Sequence, residues 1–394
     1  MNIIYLGSFR LPNYDAAAAR VLSVAKTLRE SGHRVSFISW GGEYHPEDKM
    51  VDGEYYTDGF QYIITNELDA SGGIASKIKG RLTRGNKTKQ LLTRWPEKID
   101  VIITYNGSLI RWLLTFCHHR GIKLINDMTE WYSYSELKPI EWIPYAFNMF
   151  ITQKRVENKI VISHFLDQYY KTTHNIIIPA TCDASEKKWN ENNEYARHIV
   201  GEFKGVTLIY AGNPARKDQV HHVVNAVHRL AEEGVAIRFL IVGTTRESYL
   251  SRYASKLHSN KLHKNILFLG RVSQDMIPSF YHQADFMVLL REQTRKSNAG
   301  FPTKFAESFT SGTPVVANLT SDLGKYLKDG ETGFVVITPS EESVYRTLKE
   351  KVLPLKQEEI ETIKYNVREV AKQLDYHAYV DPLCDYMNNL TCYK

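Results

Sequence analysis

Two cationic side chains follow an apolar strand in the second half of the sequence, where they could hold a phosphate. Arg216 and Lys217 lie in "LIYAGNPARKDQV" (208–220), after a predicted strand and a turn that contains Gly212 and Asn213. A predicted helix begins just beyond them, and the positive end of a helix dipole favours an anion. This stretch therefore predicts a site for phosphate groups.

The stretch "GFPTKFAESFTSGTPVVAN" (300–318) repeats this plan. Residues 298–300 (Asn-Ala-Gly) can expose backbone amides, and Pro302 suits the first turn of a helix. Lys304 adds a cation, and Glu307 lies one or two turns inside the helix. A carboxylate is a poor ligand for phosphate, but it accepts hydrogen bonds from the two vicinal hydroxyls of a ribose. Together the two stretches predict a nucleotide site.

Several other site types are excluded by their missing motifs. The sequence has no G-x-G-x-x-G after a strand and no G-x-x-x-x-G-K-[ST], H-E-x-x-H or G-x-S-x-G. It also has no Asp-x-Asp, which argues against a diphosphate held by a metal ion. We therefore expect no metal and no cofactor, with phosphates held by amides and cations.

The composition is that of a soluble globular protein with two domains. The chain has 394 residues, of which 43% are hydrophobic and 24% charged, and a net charge of +6. No apolar run reaches the roughly 18 residues that a membrane-spanning helix needs. The four cysteines (Cys117, Cys182, Cys384 and Cys392) show no C-x-x-C spacing, which favours a reducing cytoplasm.

Apolar strands alternate with amphipathic helices along both halves of the sequence. Short Val- and Ile-rich runs such as "NIIYLGSF", "DVIITYN", "IRFLIVG" and "DFMVLL" are typical of buried parallel strands. We predict an α/β protein with two Rossmann-like doubly wound domains that face each other across a cleft. We expect the first domain at 1–185 and the second at 186–375, with a helix over 376–394 that packs back onto the first domain.

A basic stretch without acidic residues lies between Ala70 and Pro96. Its cations are Lys77, Lys79, Arg81, Arg84, Lys87, Lys89 and Arg94. A solvated helix or loop would account for it, and so would contact of Lys77–Arg94 with anionic lipid or a diphosphate-linked acceptor. Aromatic residues are not interleaved with these charges, so we expect no nucleic acid partner. The predicted location is the cytoplasm, peripheral at the inner face of the membrane.

The order of these motifs resembles the retaining glycosyltransferases of family 4, which have the GT-B architecture. The resemblance rests on "GNPARKD", "FLGRV", "QADFMVLL", "GFPTKFAES" followed by "SGTPVVA", and "DGETGFVV". It covers most of the chain and is most specific across 206–336. It implies a metal-independent enzyme whose second domain holds a nucleotide-diphosphate sugar and whose first domain holds the acceptor.

The resemblance also assigns residues to the donor. Lys217 matches the family's basic residue on the diphosphate, and Arg216 or Arg271 would supply a second cation. Glu307 matches the second Glu of the family's E-x7-E motif and would bind the ribose. The first Glu of that motif is replaced here by Ala299.

We expect other groups to contact the donor sugar in its place. These groups belong to the "NAGFPTK" variant: Asn298, Ala299, Gly300, Phe301, Pro302 and Lys304.

In the first domain, the family's glycine loop is replaced by "RLPNYDAAAAR", and only Gly7 and Asn13 could approach the leaving diphosphate. Asp127 and Glu130, in "NDMTEWY" after a strand, could orient the acceptor hydroxyl, or they could be a helix cap and a surface charge. Trp131, Tyr132 and Tyr134 could stack on an acceptor sugar or simply pack.

The predicted function is that of a hexosyltransferase that uses a UDP-sugar rather than a GDP-sugar and acts on a glycan or lipid-linked glycan in polysaccharide biosynthesis. One alternative is a nucleotide-sugar epimerase of the same fold. The other is a non-catalytic partner that binds a nucleotide sugar, which the missing Glu at position 299 would favour.

Overall fold

The chain folds into two units in the computed structural model. The first comprises Met1–Thr181 and Tyr376–Lys394, and the second comprises Cys182–Asp375. The structure describes residues 1–12, 15–45, 48–68, 83–132, 137, 139–191, 193–214, 217–259 and 261–391. Among the residues singled out from the sequence, Asn13, Lys77, Lys79, Arg81, Tyr134, Arg216 and Cys392 lie outside the described residues.

The strands of the two units form two sheets. The first unit contains β1 (Asn2–Leu11), β2 (Arg34–Gly42), β3 (Lys49–Val51), β4 (Glu54–Thr57), β5 (Phe60–Ile64), β6 (Val101–Tyr105), β7 (Lys123–Met128), β8 (Asn158–Val161) and β9 (His174–Ile177). The second contains β10 (Val206–Ala211), β11 (Ile237–Val242), β12 (Ile266–Phe268), β13 (Phe286–Leu289), β14 (Val315–Ala317) and β15 (Gly333–Val335).

Helices connect most of these strands. They are α1 (Ala16–Glu30), α2 (Asn86–Thr93), α3 (Ile110–Arg120), α4 (Pro139–Phe147), α5 (His164–Tyr169), α6 (Glu194–Val200), α7 (Val220–Glu232), α8 (Arg246–Tyr253), α9 (Ile277–Tyr281), α10 (Arg295–Ala299), α11 (Thr303–Thr310), α12 (Glu341–Thr347), α13 (Gln357–Ala371) and α14 (Val380–Asn388). Two π-helical segments, Asn148–Thr152 and Leu348–Val352, continue α4 and α12.

Single 3-10 turns complete the helical structure. They lie at Gln153–Arg155, Lys187–Trp189, Ala254–Lys256, Gln274–Met276, Leu323–Lys325, Lys372–Leu374 and Tyr376–Tyr379. Among the described helices, none is both long enough and apolar enough to cross a membrane.

The first sheet has the strand order β3-β4-β5-β2-β1-β6-β7-β8-β9. Its strand pairs are parallel except for β3–β4 and β4–β5, so β4 alone runs antiparallel, near one edge of the sheet. The chain runs outward from β1 in both directions, which is the doubly wound pattern. The helix α1 begins with Asp15 as its N-cap, since the Asp15 carboxylate accepts a hydrogen bond from the Ala18 amide at 2.9 Å.

The C-terminal helix α14 belongs to the core of the first unit. Its residues Leu383, Tyr386 and Met387 are buried in the same cluster as the apolar face of α1. The hydroxyl of Ser31, just after α1, donates a hydrogen bond to the Val380 carbonyl at 3.1 Å. The C-terminal helix α14 therefore helps to bury the core to which β1 and α1 belong.

The second sheet is entirely parallel, with the order β12-β11-β10-β13-β14-β15. Numbered within this unit, that is the 3-2-1-4-5-6 order of a Rossmann fold, whose direction reverses between its first and fourth strands. Here these strands are β10 and β13, which pair through Leu208 with Phe286 and Ile209 with Met287. The prediction of two Rossmann-like α/β domains is confirmed.

Candidate functional site

Lys217 and Lys304, two of the cations predicted to hold phosphate, lie beside Asp218 at the switch point between β10 and β13. Asp218, in the loop after β10, forms an isolated antiparallel bridge with Arg291, which follows β13. The Gln219 amide donates to the Leu290 carbonyl at 2.9 Å. The start of α7 is thereby fixed beside the carboxyl end of β13, where ligands of open α/β sheets bind.

A buried ion network centres on Asp218, whose side chain is 1% exposed. The carboxylate accepts hydrogen bonds from Arg291 Nε at 3.0 Å, from the Tyr210 hydroxyl at 2.7 Å and from Lys304 Nζ at 3.3 Å. The Arg291 side chain is 8% exposed and that of Lys304 is 19% exposed. Of the two cations that contact the Asp218 carboxylate, Lys304 is therefore partly accessible and Arg291 is buried.

The charges around Asp218 set its protonation state. Burial alone would raise its pKa, but Lys304, Arg291 and the Tyr210 hydrogen bond outweigh burial and hold the pKa well below its usual range. Burial, together with the neighbouring Asp218 carboxylate, raises the pKa of Tyr210. Asp218 is consequently ionised and Tyr210 neutral at physiological pH.

Glycine is required where Lys304 crosses the end of β10. Gly212 has a φ of +131°, and a Cβ atom there would lie 2.4 Å from Cε of Lys304. The Lys304 amine also lies 5.4 Å from the centroid of the Tyr210 ring. The lysine side chain thus lies flat against the strand terminus, which aims its amine at the loop that carries Lys217 and Asp218.

The helix that carries Lys304 is anchored by aromatic packing. Pro302 precedes α11, and Phe301 packs edge-on against Phe305 and Tyr326 at centroid distances of 6.0 and 5.7 Å. Lys304 is the second residue of α11. A cation in a first helical turn is unfavourable unless an anion is near. Asp218 is that anion in this structure.

Residues Asn298–Gly300 are largely committed to local structure. The Asn298 side-chain oxygen accepts from the Ser321 amide at 3.1 Å, and the Gly300 amide donates to the Lys296 carbonyl at 3.2 Å. Ala299, at the position of the first family Glu, is fully buried. Of the "NAGFPTK" groups expected to contact a donor sugar, Lys304 has the most suitable placement.

Glu307 is half-buried on α11. Burial raises its pKa, while Lys304 and Lys188 act in the opposite direction. Burial raises the pKa of the Cys182 thiol to about 12, and the charge of Glu307 adds to that rise. Glu307 therefore lies near Cys182. Lys304 therefore interacts electrostatically with both Asp218 and Glu307, which brings the two predicted stretches together.

The remaining second-unit candidates are at the surface. Lys217 is exposed beside Asp218 and contributes to lowering its pKa. Asn213 is exposed, and its side-chain oxygen lies 3.4 Å from a guanidinium nitrogen of Arg252. Arg271 is exposed in the segment that follows β12. The placement of Arg271 adds nothing to the Asp218 network.

Asp127 of the first unit is fully buried near the end of β7. It pairs with Arg20 at 3.1 Å and accepts a hydrogen bond from the Tyr5 hydroxyl. Arg20 also donates to the carbonyls of Ile178 and Pro179 at 2.8 and 2.5 Å. These contacts occupy both carboxylate oxygens, so the geometry favours a structural brace over contact with an acceptor.

The other first-unit candidates lie at the same sheet edge. Gly7 ends the regular pairing of β1, and a Cβ atom there would lie 2.9 Å from Cβ of Tyr105. Glu130 is half-buried two residues after β7. Burial raises the pKa of Tyr132, and the charge of Glu130 and its hydrogen bond with Tyr132 add to that rise. Glu130 is thus more accessible than Asp127.

Sequence reasoning missed three members of the Asp218 network. Asp218 itself directly follows Lys217 in the quoted stretch, and Arg291 follows the strand "FMVLL" at its carboxyl end. Tyr210 is a polar residue within an otherwise apolar strand. A charged residue at the end of a buried parallel strand was the available signal. Among the described residues, no group of three or more His, Cys, Asp or Glu side chains could hold a metal ion.

The region that contains this network matches a known family. Residues 196–369 match Glycosyl transferases group 1. The matched segment includes Gly212, Lys217, Asp218, Lys304 and Glu307. No curated protein sequence matches the chain.

Solved structures resemble the chain over nearly its whole length. Sucrose-phosphate synthase from Thermosynechococcus elongatus has a TM-score of 0.71 at 15% identity, covering 99% of this chain and 98% of its own. Anabaena HepE in complex with UDP-glucose has a TM-score of 0.66 at 14% identity, with coverage of 99% and 100%. WaaG, a glycosyltransferase involved in lipopolysaccharide biosynthesis, has a TM-score of 0.65 at 14% identity, with coverage of 98% and 100%.

These similarities assign the chain to the GT-B fold. Together with the group 1 domain, they support a GT-B glycosyltransferase. The segment of the second unit that matches the family contains the Asp218 network. Sequence identities of 14% to 15% indicate a shared fold and not a shared substrate.

Replacing Asp218 with Asn should destabilise the second unit by about 3 kcal/mol, because two buried or partly buried cations lose their counter-charge. Glu369→Gln is the matched control, since Glu369 pairs with Lys372 at 2.6 Å where both side chains are at least half exposed. That change should cost under about 1 kcal/mol. Urea unfolding monitors both variants, and equal losses would contradict a supporting role for Asp218.

Proposed function

We propose that the chain is a retaining glycosyltransferase that moves a sugar from a UDP-sugar to a glycan or lipid-linked glycan. The observation that carries this proposal is the cationic network at the switch point of a group 1 domain. The reaction proposed needs no metal ion.

Charge supports the binding of a diphosphate at this network. Lys217, Arg291 and Lys304 all act on Asp218, and Lys304 also acts on Glu307, so three positive charges against two negative charges leave a net +1. Asp218 lies two residues before α7 and contacts Lys304, the second residue of α11, so both helix starts would add their amide dipoles near this contact. A nucleoside diphosphate would meet this positive charge without a bridging cation.

Glu307 is the group we assign to the ribose. Its carboxylate lies on the helix that carries Lys304, and Lys304 interacts with it electrostatically. A single donor molecule could therefore contact Lys304 through phosphate and Glu307 through its sugar hydroxyls. The choice of UDP follows the similarity to HepE, whose structure holds UDP-glucose.

The proposed transfer breaks the bond between the anomeric carbon and the diphosphate oxygen and forms a bond to the acceptor oxygen. Lys217 and Lys304 would stabilise the negative charge that grows on the departing diphosphate, an effect of about 3 kcal/mol for one well-placed donor group. Retention requires attack from the face that the diphosphate leaves. The departing phosphate oxygen is then the nearest base for the acceptor proton.

The acceptor is assigned to the first unit. Glu130 is its best-placed polar candidate, because Asp127 is committed to Arg20 and Tyr5. Arg84 remains an exposed cation of the basic stretch, whereas Lys87 donates to the Thr65 carbonyl at 2.9 Å. We extend the proposal to assembly of a surface or secreted glycan, with WaaG as a structural neighbour that acts in such a process.

A non-catalytic nucleotide-sugar binder is the second candidate, because Ala299 occupies the position of the first family Glu and is fully buried. Release of UDP from a panel of UDP-sugars distinguishes the candidates. We expect release to increase with acceptor present and to persist in EDTA. Binding of donors without release would favour the second candidate, and loss of release in EDTA would contradict the metal-free mechanism.

Lys304→Ala and Lys217→Ala should each lower the rate of acceptor-dependent UDP release by about a hundredfold or more, because each removes a cation from the leaving group. Lys264→Ala, which removes an exposed cation of the same unit, is the control for net charge. Circular dichroism checks that the variants are folded. A near-normal rate in either variant would remove that lysine from the site.

Glu307→Gln should weaken UDP binding by about tenfold, since a carboxylate accepts hydrogen bonds more strongly than an amide. The raised pKa of Glu307 also predicts that wild-type affinity falls as the pH is lowered into the acid range, earlier than for an ordinary glutamate. The Gln variant should lack this fall. Calorimetric titration with UDP at several pH values measures both effects, and identical profiles would exclude the ribose contact.

A further inference from the structure

A row of large apolar side chains is exposed on α4 and on the π-helical segment that continues it. The exposed fractions are 43% for Trp142, 82% for Ile143, 44% for Phe147, 44% for Phe150 and 41% for Ile151. We call these five residues the apolar face. Soluble proteins rarely leave so many large apolar residues together in water, and such patches usually mark an interaction surface.

The opposite side of the same segment is anchored in the first unit. Met149 is 2% exposed, and Thr152 and Gln153 are 4% and 2% exposed. The Tyr170 hydroxyl donates to the Gln153 side-chain oxygen at 2.9 Å. The segment is therefore held on the protein by one side while its other side presents apolar groups outward.

Basic residues border the apolar face. The Arg111 guanidinium lies 4.5 Å from the centroid of the Phe147 ring. Lys154 lies 4.8 Å from the Tyr169 ring, which is itself 6.5 Å from the Phe150 ring. Arg155 follows and is exposed.

Between residues 139 and 155 the sequence contains one acidic residue, Glu141. The face is thus apolar at its centre and positive along its border, which complements an anionic surface.

The apolar face adjoins the edge of the first sheet to which the acceptor is assigned. Trp131 and Tyr132 follow β7 directly after Glu130. The Trp131 ring lies 6.2 Å from Phe150, and the Tyr132 amide donates to the Tyr145 hydroxyl at 2.7 Å. A surface that receives the apolar face would therefore lie close to the acceptor position.

We propose that the apolar face inserts into the surface of a bilayer that contains anionic lipids and so presents a lipid-linked acceptor to the first unit. The identity of that acceptor rests on the proposed function. Tryptophan and phenylalanine rings with flanking cations are the side chains that favour the boundary between lipid headgroups and acyl chains. The contact proposed is a peripheral one, made by the exposed side of α4 and of the π-helical segment that continues it.

Ile143→Asp tests the face with little risk to folding, because the side chain is 82% exposed. Ile337→Asp is the matched control, an isoleucine that is 86% exposed in the second unit. With vesicles of equal parts phosphatidylcholine and phosphatidylglycerol, Ile143→Asp should lower the fraction bound by about tenfold or more. Ile337→Asp should bind as the wild type does.

The charge contribution has its own test. Wild-type protein should bind vesicles of pure phosphatidylcholine more weakly, and Arg155→Glu should reduce binding to the mixed vesicles. Equal binding of wild type, Ile143→Asp and Ile337→Asp would overturn the proposal. A wild type that binds no vesicle but self-associates through Ile143 would also overturn it, in favour of a protein partner.

Calorimetry with UDP separates this inference from the proposed function. Ile143→Asp should bind UDP with wild-type affinity, because the apolar face and the Asp218 network belong to different units. Wild-type protein that binds UDP but not the mixed vesicles would leave the glycosyltransferase proposal standing and remove the membrane contact. Wild-type protein that binds the vesicles but not UDP would keep the membrane contact and remove the glycosyltransferase proposal.

Discussion

The carboxylate of Asp218 is the group on which the candidate site depends. It is almost completely buried and joins three separate segments: the loop after β10, the end of β13 and the first turn of α11. Burying a carboxylate is costly, and here two cations and the Tyr210 hydroxyl offset that cost. The same contacts make it possible to place Lys304 where a helix dipole would otherwise disfavour a positive charge.

Under the proposed function, this arrangement would prepare the site for an anion before any ligand binds. Lys304 lies alongside Gly212 and donates to Asp218 at 3.3 Å, so less side-chain freedom remains to be lost on binding. Because Asp218 balances only part of the local positive charge, a diphosphate would still be attracted. Electrostatic stabilisation of a leaving group is most effective when the charges are already in place, and in the proposed transfer Lys304 would already be held by Asp218.

The sequence predicted the two sheets because each buried parallel strand is a short apolar run, a signal that needs no distant information. It also placed Lys304 and Glu307 on one helix. It could not predict the Asp218 network, whose partners Arg291 and Lys304 are 73 and 86 residues away along the chain. Asp127 shows the same limit, because its burial depends on Arg20, which is 107 residues away. A carboxylate at a strand end looks the same in sequence whether its partner is a ligand or a buried arginine.

Each unit contains a buried network of one tyrosine, one aspartate and one arginine. The difference between the two networks bears on the proposed donor site. In each unit a tyrosine of the first strand, Tyr5 or Tyr210, donates to a buried aspartate that also pairs with an arginine. In the first unit the Arg20 and Asp127 side chains are 3% and 0% exposed, so their charges are satisfied internally. The second unit adds Lys304, whose side chain is 19% exposed, as a further cation on the same carboxylate. With the exposed Lys217 beside the same carboxylate, the second unit keeps an accessible excess of positive charge even when Glu307 is counted. This excess is the physical reason for proposing the diphosphate there.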